Sequence, residues 1–382
     1  LLVLGLMPSA GAGSGRSTLR SLHALEGNQA DRDKHAGGYY VGLIDGASNS
    51  GRDELALRLL GKPADWISFD ELNVVRYLDH DLLRFELKPN LDRAVFGSRF
   101  TTDSLGLRDR EYSPIKPPGI FRVVLLGSSM DMGWGVGTEE TYENQLEDWL
   151  NVHAAKHGLP RRFEVLNFAV AAYSPLHRLE TFERKVKALQ PDLVIYSATR
   201  LDTRLMEIHL VTMLQERTDL KYDFVKRAVE SSGITKPDLK LDTAGKLTFK
   251  DRIKAKLAPR LWSLNESCVR SLADSCRSLG IPLVCLIIPR ASESDGPDLR
   301  GPDVLRIEQI AHNAHIPALD LTASFDTEDP SAIEIAPWDD HPNAYGHRLL
   351  FLSLGREIVK NPTVYRDFFD ADSVDLGPLP DQ

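Results

Sequence analysis

The sequence predicts an α/β protein: a three-layer, doubly wound, mostly parallel sheet of five strands, with a small mixed extension on its N-terminal side. Two observations carry that expectation. Five short apolar runs, Phe121–Leu126, Val165–Val170, Leu193–Ala198, Leu283–Ile288 and Ala318–Leu321, have the length of strands rather than helices. Helical periodicity follows most of them, over Glu139–His157, Leu176–Leu189, Arg204–Gln215 and Val304–His312. Strands alternating with helices imply a sheet covered on both faces, with its site at the carboxyl ends of the strands.

Taken from the N-terminus, Leu1–Met7 followed by Pro8-Ser9-Ala10-Gly11-Ala12-Gly13 resembles the end of a signal peptide or membrane anchor running into small residues. We therefore expect an extracytoplasmic protein, periplasmic or secreted, with a membrane tether or a membrane-complex partner engaged through this arm. Residues 1–38 read as anchor remnant and extended arm, because Gly, Ser, Ala, Arg and Asp there show little periodicity. Residues 39–118 form a small mixed accessory region. It contains a short helical pattern at Asp53–Leu60 and strand-like runs at Leu82–Leu87 and Ala94–Phe100, which flank the turn Lys88-Pro89-Asn90. Pro114, Pro117, Pro118 and Gly119 punctuate the chain before the α/β domain, 119–362. Between its third and fourth strands the crossover needs only the helix Arg260–Leu279, so residues around 216–258 are an insertion that could serve as lid or docking surface. The tail, 363–382, is acidic apart from Phe368-Phe369, which we expect to dock on the chain's own body.

Of the 382 residues, 42% are hydrophobic and 26% charged, enough apolar content to fold without staples. The net charge of −9 lacks the phosphate attraction that drives nucleic-acid binding, so no nucleic-acid partner is expected. Cys268, Cys276 and Cys285 stand in no CxxC pair and read as packed thiols. Glu207-Ile208-His209 has no second histidine one helical turn on, so it reads as helix rather than metal site. No cofactor and no metal are expected.

Two segments could carry chemistry. The loop Gly127-Ser128-Ser129-Met130-Asp131-Met132-Gly133-Trp134-Gly135-Val136 follows the first strand. A serine there is placed as a nucleophile, since nearby N–H groups and a helix N-terminus favour developing negative charge. The plainer reading is a helix-capping serine, and the absence of a Walker lysine disfavours a phosphate cradle. Far downstream, Trp338-Asp339-Asp340-His341-Pro342-Asn343 comes after the last strand and before a C-terminal helix, which brings His341 to the same sheet edge as Ser129. A carboxylate two residues before a histidine can fix the tautomer that accepts a serine proton. His347 reads as packed or solvent-facing.

Together these blocks resemble the SGNH, or GDSL-type, serine hydrolases, over about 121–360. Leu126-Gly127-Ser128-Ser129 is similar to the first block, with Ser128 for the usual aspartate, and Met132-Gly133-Trp134-Gly135-Val136 is similar to its continuation in some members. His341-Pro342-Asn343-Ala344, with Gly346-His347, looks like the last block. Leu87-Lys88-Pro89-Asn90 and Ser104-Leu105-Gly106-Leu107-Arg108-Asp109 look like the extension preceding many bacterial members. The resemblance implies an SGNH/flavodoxin-like fold, Ser129 as nucleophile, His341 as base and Asp339 as its orienter, with Asp340 as the alternative. The oxyanion donors it implies are the Ser129 and Ala172 N–H groups, Ala172 standing in Asn167–Ser174 where the family has glycine. The family's asparagine donor falls on Leu201, which cannot donate, and Arg200 or Thr199 could substitute. The function implied is ester hydrolysis or acyl transfer on an O-acylated carbohydrate or other small ester, with Trp134, Tyr173 and Trp338 available for sugar stacking or packing. The alternative is a catalytically lapsed structural or interaction subunit of a membrane or envelope complex.

Overall fold

The computed structural model describes residues 69, 72–95, 97–290 and 301–369. The N-terminal apolar segment, the arm, the helical pattern at 53–60 and the last thirteen residues lie outside them. In chain order, a first hairpin is β1 (Val75–Tyr77) and β2 (Phe85–Leu87), and a second is β3 (Asp92–Val95) and β4 (Ser98–Thr101). The α/β body follows as β5 (Ile120–Leu126), α1 (Tyr142–Lys156), β6 (Arg162–Asn167), α2 (Pro175–Thr181), β7 (Leu193–Ala198) and α3 (Asp202–Glu216). The insertion contributes α4 (Asp223–Ser231) and α5 (Lys250–Leu257), and the chain returns through α6 (Leu261–Ser278), β8 (Leu283–Ile287), α7 (Pro302–Asn313) and β9 (Ala318–Asp320). A short antiparallel pair, β10 (Glu334–Ala336) and β11 (Asp339–Pro342), precedes α8 (Ala344–Lys360) and α9 (Pro362–Phe369).

The five-stranded sheet has the order β6-β5-β7-β8-β9, and every pair in it is parallel. Counted within the sheet that is 2-1-3-4-5, the flavodoxin-like order, whose switch point lies where β5 separates β6 from β7. Alternation along the strands sorts the core. Val123, Leu125, Val165, Ile195 and Leu286 face α1, α8 and α9, while Val124, Leu126, Val194, Cys285 and Ile287 face α2, α6 and α7. Phe368 and Phe369 close the first of these layers and are buried.

The accessory region departs from its sequence reading: β1 is an additional strand, the Leu82–Leu87 run is a strand over Phe85–Leu87, and a further run folds back on itself. The run Ala94–Phe100 is a hairpin, not one strand: β3 and β4 pair across a turn in which Gly97 takes φ +81, a conformation that favours glycine. The two flanks of Lys88-Pro89-Asn90 accordingly pair with other strands, β2 with β1 and β3 with β4. Both hairpins pack on the carboxyl edge of the sheet, where Phe85, Leu87, Val95 and Phe100 share a buried cluster with Trp134, Ala172, Tyr173 and Leu201. The insertion packs beside α2, α3 and α6, with Val225, Leu247, Ile253 and Leu257 joining Met206, Leu210 and Leu264. Among the described residues no helix is long and apolar enough to cross a membrane.

Candidate active site

The loop that carries Ser129 begins where β5 ends. Gly127 is required there because a Cβ would lie 2.3 Å from Asp131 Oδ2. That carboxylate folds back to accept the Ser128 N–H at 2.8 Å, while the N–H groups of Asp131 and Met132 donate to Ser128 O at 3.1 and 3.0 Å. The turn thus makes its own cap, with the Asp131 side chain closing it over the Ser128 N–H. Tyr142, the first residue of α1, donates its hydroxyl to Asp131 Oδ1 at 2.7 Å. Burial pushes the Asp131 carboxyl above its ordinary pKa despite these donors. Ser129 is buried, 1% exposed.

His341 stands on β11, also buried, with Nδ1 2.5 Å from Asp339 Oδ1. The second oxygen of Asp339 accepts Trp134 Nε1–H at 2.9 Å. Trp134 belongs to the Ser129 loop, so one carboxylate joins the loop after β5 to the strand bearing His341. Close packing supports the same approach, since Gly135, at φ +74, leaves room for Ile335 of β10, whose Cδ1 would sit 2.6 Å from a Cβ. Burial opposes charge on His341, but the Asp339 charge and hydrogen bond outweigh it and hold its pKa above the ordinary histidine value. Asp340, the alternative orienter, pairs instead with Arg290, beyond the end of β8. His347 is buried; its Nδ1 accepts the Tyr142 N–H at 3.3 Å, and its ring stacks on that of Tyr142.

Ala172 lies in the turn after β6 with φ +64, so the chain keeps at an alanine the left-handed geometry that glycine adopts freely, at roughly 1–2 kcal/mol. Leu201 is 4% exposed and packs with Trp134, Tyr173 and Leu205, an apolar side chain where the resemblance puts a donor. Beside it, Thr199 Oγ1 accepts the Leu201 N–H at 3.2 Å, and Asp202 holds Arg178 through two bonds of 2.9 Å. Trp134 and Tyr173 are not sugar platforms: both are buried, and Tyr173 gives its hydroxyl to Phe85 O at 2.8 Å.

Asn167, at the end of β6, is a node the sequence reading passed over. Its Nδ2 donates to Asp131 O at 2.9 Å and to Glu143 Oε1 at 2.7 Å, its Oδ1 accepts the Ala169 N–H, and its own N–H donates to Asp109 Oδ2. It therefore ties the serine loop, the start of the Ala172 turn, α1 and the accessory region together. Burial drives Glu143 up to about 7 and Asp109 well above its ordinary value, each raised further by the neighbouring carboxylates. The signal in the sequence is an amide within the apolar run Val165–Val170, where β6 ends.

No family model matches the chain, and no curated protein matches it. Among solved structures it is similar to a catalytic mutant of Axe2, an acetylxylan esterase from Geobacillus stearothermophilus, at 18% identity and TM-score 0.40 over 62% of this chain and 93% of that one. It is also similar to a two-domain esterase active on acetylated mannans, at 14% and 0.36 over 63% of this chain and 49% of that one. TesA matches at 11% and 0.37, over 62% and 97%. The functional reading stands on the chain's own residues.

Proposed function

We propose that the protein is an SGNH-type serine acyl hydrolase or acyltransferase that acts on a small ester, and more finely on an O-acylated carbohydrate. The observation that carries the reading is the chain Trp134–Asp339–His341. A carboxylate that accepts from the serine loop with one oxygen and from imidazole Nδ1 with the other leaves Nε2 as the proton acceptor.

In this reading His341 Nε2 takes the Ser129 Oγ proton as Oγ attacks the ester carbonyl. The carbonyl oxygen gains the charge, which the Ser129 and Ala172 N–H groups receive. The C–O bond to the leaving alkoxide breaks as His341 returns the proton to it, and an acyl-serine remains. Water or a sugar hydroxyl, deprotonated by the same nitrogen, then displaces Ser129. Leu201 adds no donor, and loss of one oxyanion donor slows such reactions roughly 100- to 1000-fold, so slow turnover is expected. An extracytoplasmic, tethered location is part of the proposal, drawn from the apolar start of the sequence and the long arm after it.

The second reading, a catalytically lapsed interaction subunit, is favoured by Leu201, together with the apolar N-terminal segment, the long arm and the insertion. Hydrolysis of short-chain p-nitrophenyl esters beside Ser129→Ala and His341→Ala separates the two. Wild-type turnover abolished in both variants supports the enzyme; wild-type rates equal to those of the variants support the lapsed subunit.

A further inference from the structure

A second cluster of titratable side chains lies at the root of the Ala172 turn. Ser174 Oγ, at the N-cap of α2, is 2.9 Å from His209 Nδ1 and 3.0 Å from His177 Nδ1. The two imidazoles stack with centroids 3.5 Å apart, and His177 stacks in turn on Tyr173 at 4.7 Å. His209 Nε2 reaches Leu82 O, ahead of β2 in the first hairpin, at 2.8 Å. All three side chains are buried.

The partners assign the protons. A carbonyl only accepts, so His209 carries its proton on Nε2, and its Nδ1 accepts the Ser174 hydroxyl. The Ser174 N–H donates to His177 Nδ1 at 3.1 Å, so that ring carries its proton on Nε2. Both rings are therefore neutral. The pair is not a second nucleophile and base, because the Ser174 hydroxyl is sealed in the core as a helix cap and also accepts the His177 N–H.

Charge around the cluster opposes any further proton. Arg84 comes from the first hairpin, held by Glu216 through bonds of 2.6 and 3.1 Å, and Arg178 comes from α2, held by Asp202. Arg178 also donates to Tyr173 O at 3.2 Å. A proton on His177 Nδ1 would face the Ser174 N–H, and one on His209 would put a buried cation near Arg84. Burial first, then His209, Arg84 and Arg178, hold His177 well below its ordinary value; burial and Arg84 hold His209 down at about 3.

We propose that Ser174, His177 and His209 form a latch that positions the Ala172–Tyr173 turn against the first hairpin only while both rings are neutral, so that mild acid loosens the turn while the parallel sheet stays folded. The hairpin side of the contact is Leu82 O, Phe85 O and the Phe85 ring, which lies 5.6 Å from Tyr173. Because folded-state pKa values are depressed, the latch is at full strength above pH 6.5 and weakens as pH falls from there, by up to about tenfold per ring per pH unit. The latch stands whether or not Ser129 is a nucleophile.

Hydrogen exchange of the full chain, read by mass spectrometry at pH 7.5 and 5.5 and corrected for intrinsic exchange rates, tests it. In the wild type, protection over 82–87 and 172–178 should fall up to about 100-fold at pH 5.5, with β5 and β7 unchanged. His209→Gln, which can still donate to Leu82 O and carries no titrating ring, should fall only about tenfold. His209→Ala should be loose in both segments at both pH values. Equal wild-type protection at the two pH values, a loss shared with β5 and β7, or an undiminished loss in H209Q would each overturn the proposal. If neither variant folds, the wild-type comparison alone decides it.

Discussion

Asp339 divides its two oxygens between His341 and Trp134, and that division is the feature of the edge most exposed to test. Trp134→Phe keeps the ring in its buried cluster and removes only the donor. A hydrogen bond to a charged acceptor is worth about 1.5–3 kcal/mol, so kcat should drop by roughly tenfold or more with KM little changed, in steady-state kinetics on a chromogenic ester. His341 must be neutral to accept a proton, and Asp339 raises its pKa. The acid limb of kcat/KM should therefore have its midpoint above 6.5 in the wild type and move to lower pH in Asp339→Asn, whatever the residual rate. The protonated pair stabilises the fold fully below the unfolded histidine pKa, and that contribution is lost as pH rises through the raised folded value.

At the scale of elements, Gly135 in the Ser129 loop and Gly346 in α8 fix how closely these elements approach β10 and β11. A Cβ on Gly346, in the first turn of α8, would lie 2.9 Å from Ile333 O and 2.8 Å from Pro342 Cβ, next to His341. Backbone cannot swing aside as a long side chain can, so Gly346→Ala should cost about 1–3 kcal/mol and lower the melting temperature by several degrees, measured by calorimetry. The five sheet strands and the position of the Ser129 loop were legible because each is a local pattern, an apolar run of strand length or the loop that follows one; β10 and β11, which carries His341, were not, because Asp339–Pro342 is a polar run with no strand signature. The second hairpin was not, because its turn falls inside one short β-like run and only Gly97 marks it. Trp134 was legible as a position but not as a donor, since its partner lies 205 residues away.

Over the whole molecule, a layer of buried polar groups joins the accessory region to the sheet edge, and burial raises both of its carboxyls, Asp109 and Glu143. Glu143 has its carboxyl raised to about 7 by burial, so its contribution to stability is fully present below its unfolded value and is lost as pH rises from there to about 7. Glu143→Gln keeps an oxygen for Asn167 and cannot ionise. It should melt several degrees above the wild type at pH 8, with the gain shrinking towards pH 4.5. This layer was hidden from the sequence because Asp109, Glu143 and Asn167 come from a loop, a helix and a strand, and none forms a local motif with another. The hydrophobic pattern fixes which elements exist; which polar side chains they bring together depends on three-dimensional closure. The central claim is that this closure makes Ser129 a nucleophile. Intact-mass and peptide analysis after treatment with a fluorophosphonate tests it most directly. One adduct per chain, mapped to Ser129 and lost in Ser129→Ala and His341→Ala, is the predicted result; an unlabelled wild type, or labelling that persists in His341→Ala at the wild-type rate, would contradict it.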